Sequence, residues 1–327
     1  MITGDLRRAI AQAVAAEGFE PADPGLRPGG RPGRYASSVA FGLADSRSPR
    51  AVARLLASRI AEHPWLARTE VSGPGFLALT VTDETLAALP ERITQAGPAC
   101  ARSDALRGVT LGAPPPADLR AAPGWEEARK ALAAELTARL AAAAGATITP
   151  PGNSSGGSGV GEYLSREVAA AVAFAGEDSV RFWLARAVPG QAARLDAAIM
   201  ARHVPDNPSY AVRYAHARAA SGVRWAAIAG AEAVPRRPPA DPGELALLDA
   251  LSWLPERVAV AARRDRPDEF ARYLEEVAGV TIATLISTRH PGSAGAPGSD
   301  RLTLATAAQA GLAAGLGLLG VSAPDRL

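Results

Sequence analysis

The 327 residues are 48% hydrophobic and 21% charged, which excludes a disordered chain and leaves room for two modest domains. The single cysteine, Cys100, excludes a disulfide framework and a multi-cysteine zinc site. A formal charge of +2 does not announce a nucleic-acid partner, and Lys130 as the one lysine among 35 basic residues fits GC-rich coding.

In chain order, residues 1–17 have helical spacing at Leu6, Ile10, Ala13 and Val14. A Pro- and Gly-rich loop over 21–33 follows, and a second helix is predicted from near Ala36. Ser48 and Pro49 stand as N-cap and first residue of a helix through Ala61. Thr69–Val71 and Phe76–Val81 read as a strand pair around the turn Gly73-Pro74-Gly75. Together these predict an α+β N-terminal domain over residues 1–98. Residues 99–150 read as a vestigial βαβ unit, with strands at 108–112 and 146–149 around a helix over 125–144. A lone unit cannot bury both faces of its sheet, so a neighbour or a partner must cover it. Residues 151–161 have the composition of a Gly/Ser linker. From 162 to 327 the period is helical, predicting an all-α bundle with helices near 162–187, 191–203, 207–231, 242–265, 267–289 and 301–319.

Two further expectations concern location. No basic n-region precedes an apolar core, which predicts a cytoplasmic protein. Leu302–Val321 is almost wholly apolar and contains Gly311-x-x-x-Gly315, a pattern of membrane helices. Thr303, Thr306 and Gln309 within it favour a buried helix in an Ala-rich bundle, and no membrane partner is expected.

Three stretches resemble the class I arginyl-tRNA synthetase family, in the family's order. Gly33-Arg34-Tyr35-Ala36-Ser37-Ser38-Val39-Ala40 and Val71-Ser72-Gly73-Pro74-Gly75-Phe76-Leu77 are similar to its N-terminal additional domain. Gly176–Leu184 and Asn207–Arg218, which includes Tyr214-Ala215-His216-Ala217-Arg218, are similar to its DALR anticodon-binding domain. Leu318–Leu327 is close to its Gly-Val-x-Ala-Pro-Glu-Arg-Met ending. The resemblance implies tRNA as partner, arginine-accepting by preference, with the N-terminal sheet at the D-arm and the bundle at the anticodon. Arg34 stands where the family has Asp, and Ala78 where many members have Asn, which puts base-specific reading at the D-arm in question.

The resemblance also marks what is missing. The helix of the βαβ unit should open with His-x-Gly-His, and Gly124-Trp125-Glu126-Glu127 stands there instead, with no histidine between His63 and His203. Two acids would oppose ATP phosphates. A chain with one lysine has no Lys-Met-Ser-Lys-Ser loop. These losses predict a non-enzyme without cofactor, metal or catalytic residues. The residues themselves show no acid/base pair, phosphate loop or metal set.

Candidate contacts follow. Tyr210, Tyr214, Arg218, Ser221 and Trp225 lie within about 80° on a helical wheel, which reads as core or as a stacking platform for anticodon bases. Arg213 and Arg224 share a neighbouring face, either solvated or on RNA backbone. His216 reads as a packed, hydrogen-bonded histidine. At the D-arm side the candidates are Arg34, Tyr35, Gly73, Gly75 and Phe76. Three functions fit: a catalytically inactive tRNA binder gaining avidity from two weak sites on a linker, a regulatory subunit that has lost RNA binding and docks a protein on the βαβ unit, or half of a split arginine–tRNA ligase served by a catalytic core in trans. An exposed apolar patch on the 125–144 helix would favour the second, and an arginine stripe joining Arg213, Arg218 and Arg224 to Arg34 the first.

Overall fold

Ile2, Leu6, Ile10 and Val14 share one face of the first helix and are buried along it, which ties α1 (Ile2–Ala16) to the rest of the chain. The computed structural model describes residues 1–44, 47–150, 166–191, 195–230, 241–287 and 299–327. After α1 come β1 (Leu26–Pro28), β2 (Arg34–Ser37), α2 (Val39–Leu43), α3 (Pro49–Ile60), β3 (Leu66–Ser72) and β4 (Phe76–Val81). The four strands form an antiparallel sheet in the order β1-β2-β4-β3. Ser48 caps α3 as its sequence predicts, its hydroxyl accepting from the Ala51 amide at 3.2 Å.

Arg34–Ser37 is a strand and not the start of a helix. Gly33, at φ +73°, turns the chain, and Tyr35 and Ser37 then point into the core opposite Leu79 and Leu77. The Pro- and Gly-rich loop likewise contains β1, which pairs with β2. α4 (Asp83–Ala87), α5 (Leu89–Ala96) and a 3-10 turn over Gly97–Ala101 complete this region.

β5 (Thr110–Gly112), α6 (Trp125–Ala143) and β6 (Thr147–Thr149) form a βαβ unit, with Thr110 opposite Thr147 in a two-stranded parallel sheet. The linker segment 151–161 lies outside the described residues. The helical region contains α7 (Glu167–Ala175), α8 (Glu177–Arg186), α9 (Ala197–Met200), α10 (Pro208–Ile228), α11 (Pro242–Ser252), α12 (Leu254–Arg263), α13 (Pro267–Ser287) and α14 (Ser299–Leu318). Two predicted helices are each split. Gly176 at φ +85° separates α7 from α8, and α12 starts afresh with Pro255 in its first turn, where no amide is needed. Only Ala197–Met200 is helical in the described part of 191–203.

α14 is an interior helix. Its Gly311 and Gly315 admit Leu251 and Leu274, which a Cβ at either position would strike. No helix among the described residues is long and apolar enough to cross a membrane.

The N-terminal region packs directly on the helices. α1 meets α12, and α5 and the 3-10 turn meet α14. One continuous apolar core runs through both regions. Polar bonds cross the seam as well. Thr3 Oγ1 donates to the Ser252 carbonyl at 3.0 Å, Tyr35 Oη to Ser252 Oγ at 2.8 Å, and the Gly33 amide to Asp249 Oδ1 at 3.3 Å. Arg7 forms a buried pair with Glu256. The helices also cover the helix of the βαβ unit: Leu132, Leu136 and Leu140 of α6 are buried, and α6 packs on α12 and α8, while four of the six residues in β5 and β6 stay exposed. Glu135 on α6 accepts from Arg181 of α8 at 2.5 Å.

Candidate nucleic-acid interface

Asn207 and Pro208 start α10 where the sequence places a helix: the Asn207 carboxamide oxygen accepts from the Ser209 amide at 3.2 Å and from Trp183 Nε1 at 3.0 Å. The helix therefore begins at a fixed point, and its side chains fall in register from there. Tyr210 and Tyr214, four residues apart, stack with ring centroids 5.5 Å apart and planes 17° apart. His203 stacks on the far side of Tyr210 at 5.3 Å and 12°. The result is a column of three rings that ends at Tyr214, which is 36% exposed.

The stripe is thus a surface feature and not core. Trp225, two turns beyond Arg218, is 67% exposed. Between them lies a cleft of about 420 Å³ whose α10 wall includes Arg218, Ser221 and Trp225 and whose α14 wall includes Arg301 and Leu302. An aromatic face and a guanidinium at the edge of a cleft suit a stacked base and its phosphate. His203, Arg301 and Leu302 were not legible as members of this surface, because they reach it from other elements.

The remaining helix arginines do something different. Arg213 pairs with Asp178 at 3.4 Å and reaches Ser322 Oγ at 3.4 Å. Arg224 Nη1 donates to the Asp325 carbonyl at 3.0 Å. His216, which is 2% exposed, bonds through Nδ1 to the Pro324 carbonyl at 3.0 Å. Together they hold residues 322–325 along α10, with Gln309 Nε2 donating to Asp325 Oδ1 at 3.2 Å. His216 is the packed, bonded histidine its sequence setting predicts. The arginine stripe joining Arg213, Arg218 and Arg224 to Arg34, which would have favoured RNA, does not form: Arg213 and Arg224 bond residues 322–325, and Arg34 lies 3.7 Å from Glu70.

On the N-terminal sheet, Gly73 (φ +54°) and Gly75 (φ +151°) form the turn between β3 and β4. A Cβ on Gly75 would come within 2.8 Å of the Pro49 backbone, so the turn abuts α3. Phe76 follows, half-buried, with the Phe41 ring at 4.8 Å and the Arg27 guanidinium 5.5 Å above it. These three line a cleft of about 580 Å³. Arg27 reaches Phe76 through the β1–β2 and β2–β4 pairings, and Phe41 through the packing of α2 on β4. Tyr35 does not belong to this surface. It is 0% exposed, burial raises its phenol pKa strongly, and its ring lies 5.2 Å from Trp253 across the seam. A ring so placed holds the seam and cannot meet an RNA.

The N-terminus of α6, where the His-x-Gly-His motif would stand, carries acids. Glu126 is held as a carboxylate by its bond to Arg129, which lowers its pKa. Glu127 folds back so that its Oε2 sits 3.0 Å from where a Gly124 Cβ would be. An exposed apolar patch on α6, which would have favoured a protein partner, is also missing: none of the large exposed hydrophobic residues lies on it among the described residues.

Two family models match the chain: the arginyl tRNA synthetase N terminal domain over residues 2–81 and the DALR anticodon binding domain over residues 212–327. Among curated relatives, an arginine–tRNA ligase of Frankia alni is 38% identical over 160 residues, and one of Kineococcus radiotolerans is 40% identical over 162. Each alignment covers 46% of this chain and 29% of the relative, so the chain spans well under half the length of the ligases it matches. The solved Thermus thermophilus arginyl-tRNA synthetase superposes over the whole of both chains with a TM-score of 0.61 at 16% identity, a likeness of fold. Residues 2–81 thus match an arginyl-tRNA synthetase N-terminal domain and residues 212–327 a DALR domain, with the βαβ unit lying between them in sequence.

Proposed function

We propose that this chain, with those two domains, binds tRNA of the arginine-accepting kind and does not activate arginine. The observation that carries the reading is the ring column His203–Tyr210–Tyr214, which ends exposed beside Arg218 on the helix that enters the matched DALR segment. An anticodon loop presents unpaired bases, and stacking on such a column is how proteins hold them. Arg218 is the α10 arginine that supplies phosphate contact, since Arg213 and Arg224 hold residues 322–325. At the other end, Phe76, Phe41 and Arg27 form the D-arm surface, with Arg34 farther along the sheet, opposite Thr80.

Both surfaces sit on regions that share one core. Their spacing is set by packing, which removes the loop entropy that a flexible tether would impose on simultaneous binding. The non-catalytic half of the proposal rests on the acidic N-terminus of α6, the lack of histidine between His63 and His203, and a lysine count of one.

Anisotropy of fluorescein-labelled tRNA at two salt concentrations tests the binding. The expected result is micromolar or tighter binding that weakens steeply with salt and favours arginine tRNA over a non-cognate tRNA. No binding at low salt overturns it. Arginine-dependent ATP–pyrophosphate exchange tests the second half: exchange above the protein-free rate overturns the claim of inactivity.

A further inference from the structure

A third cleft, of about 500 Å³, lies in the N-terminal region away from both ring surfaces. Its volume is in the range of small-molecule sites. Arg8 and Gln12 come from α1, Glu84 from α4 and Arg92 from α5, and His63 and Trp65 close the remaining wall. The wall is rigidly set. The Trp65 carbonyl accepts from the Thr82 amide at 3.1 Å and from Thr85 Oγ1 at 3.2 Å. Its ring packs against His63 with centroids 5.3 Å apart.

The polar groups facing this aromatic wall are incompletely used. Arg8 and Arg92 both reach the Asp5 carboxylate, Arg92 Nη2 at 2.6 Å. Each guanidinium has five N–H groups, so most of its donors remain for another acceptor. The Gln12 amide and Glu84 carboxylate make no side-chain hydrogen bond among the described residues. Arg8 and Arg92 are balanced by Asp5 and Glu84, so the lining is formally neutral and suits an uncharged, flat base inside the cleft, with any phosphate left outside it.

We infer that this cleft binds a guanine base stacked on Trp65. Guanine presents two acceptors, O6 and N7, on one edge, which match a guanidinium fork. Its adjoining N1–H and N2–H groups are donors, which match the Glu84 carboxylate. Adenine offers a donor at the position of O6 and meets the same arginines with like groups. The base can come from a free guanine nucleotide or from an unpaired guanosine of an RNA. The inference uses none of the residues of the tRNA reading, and its failure leaves that reading untouched.

Intrinsic fluorescence titration tests it, using guanosine monophosphate, adenosine monophosphate, and short single-stranded oligoribonucleotides with one central G or A. The proteins are the full chain, Trp65→Phe and Glu84→Gln. The expected result is quenching by a guanine ligand with a Kd below about a millimolar and about ten-fold weaker quenching by the adenine counterpart. Trp65→Phe should lose most of the quench. Glu84→Gln, on an exposed position, should lose the guanine preference without lowering the melting temperature. Tighter binding of the G-containing oligonucleotide identifies an RNA base as the ligand; equal or tighter binding of the mononucleotide identifies the free nucleotide. No quenching by any of the four, equal quenching by G and A, or a full quench in Trp65→Phe overturns the inference.

Discussion

Arg7 and Glu256 meet across the seam through two hydrogen bonds, Nε to Oε2 at 2.6 Å and Nη2 to Oε1 at 2.7 Å, with side chains 9% and 3% exposed. They stand 249 residues apart. Asp23 and Arg263 extend the pair into a network, Asp23 bonding Arg7 at 3.0 Å and Arg263 at 2.6 Å. A fork buried this deeply fixes the angle between α1 and α12.

Removing one partner strands the other charge. Arg7→Ala or Glu256→Ala should each destabilise the protein by about 3–5 kcal/mol, read as a drop in the urea midpoint. The double variant Arg7→Met/Glu256→Met should recover much of that loss, because it strands no charge. Equal losses in the single and double variants would mean that packing, not charge pairing, holds this seam.

Tyr35→Phe separates a strut from a contact. Its hydroxyl bonds Ser252 at 2.8 Å inside the seam, so the variant should lose about 1 kcal/mol of stability and keep its tRNA affinity. A weakened affinity at unchanged stability would put Tyr35 back among the RNA contacts.

At the ring column the signature is reversed. Tyr214→Ala and Trp225→Ala remove exposed rings, so stability should shift by no more than about 0.5 kcal/mol. Each should weaken tRNA binding by about 1–3 kcal/mol, the range for one base–aromatic stack. Anisotropy and thermal melts on the same samples check both halves.

The sequence makes local signals legible and non-local ones obscure. Ser48–Pro49 caps a helix by contacts within four residues, and the βαβ strands flank a helix in unbroken order, so both are readable. β2 is not, because Arg34–Ser37 becomes a strand by pairing with β1 out of a Pro- and Gly-rich loop and with Leu77–Thr80, forty or more residues on. The exposure of Tyr214 and Trp225 is hidden for a related reason: periodicity gives the faces of α10, but which face is covered depends on α13 and α14. Arg213 and Arg224 were open to an RNA-backbone reading because nothing near them in sequence marks the return of residues 322–325.

The Gly73-Pro74-Gly75 turn predicts a graded pair of substitutions. Gly73→Ala faces a backbone at φ +54° with the new methyl in ordinary contact with the Phe76 ring at 4.0 Å, which should cost about 1 kcal/mol. Gly75→Ala adds a clash with the Pro49 backbone at 2.8 Å and should cost more, about 2–3 kcal/mol. If the two melt alike, the approach of the turn to α3 is not constraining.

Two seam carboxyls give opposite pH dependences. Burial raises the Asp23 pKa, but the bond and charge of Arg263, with Arg7, outweigh it and leave the group below its ordinary value. Its stabilising contribution is therefore present above the unfolded pKa and is lost as pH falls through the folded one. Burial also raises the Asp249 pKa, and the Gly33 amide and Arg257 only partly offset that, so this group stays above its ordinary value. Its contribution is present below the unfolded pKa and is lost as pH rises through the folded one. Asp249→Asn keeps a carbonyl oxygen for the Gly33 amide and removes the ionisation. Relative to the parent, this variant should gain in melting temperature as pH rises from acid to neutral, and Asp23→Asn should fall behind over the same range. Parallel pH profiles for the two variants would mean that neither carboxyl is shifted by the seam.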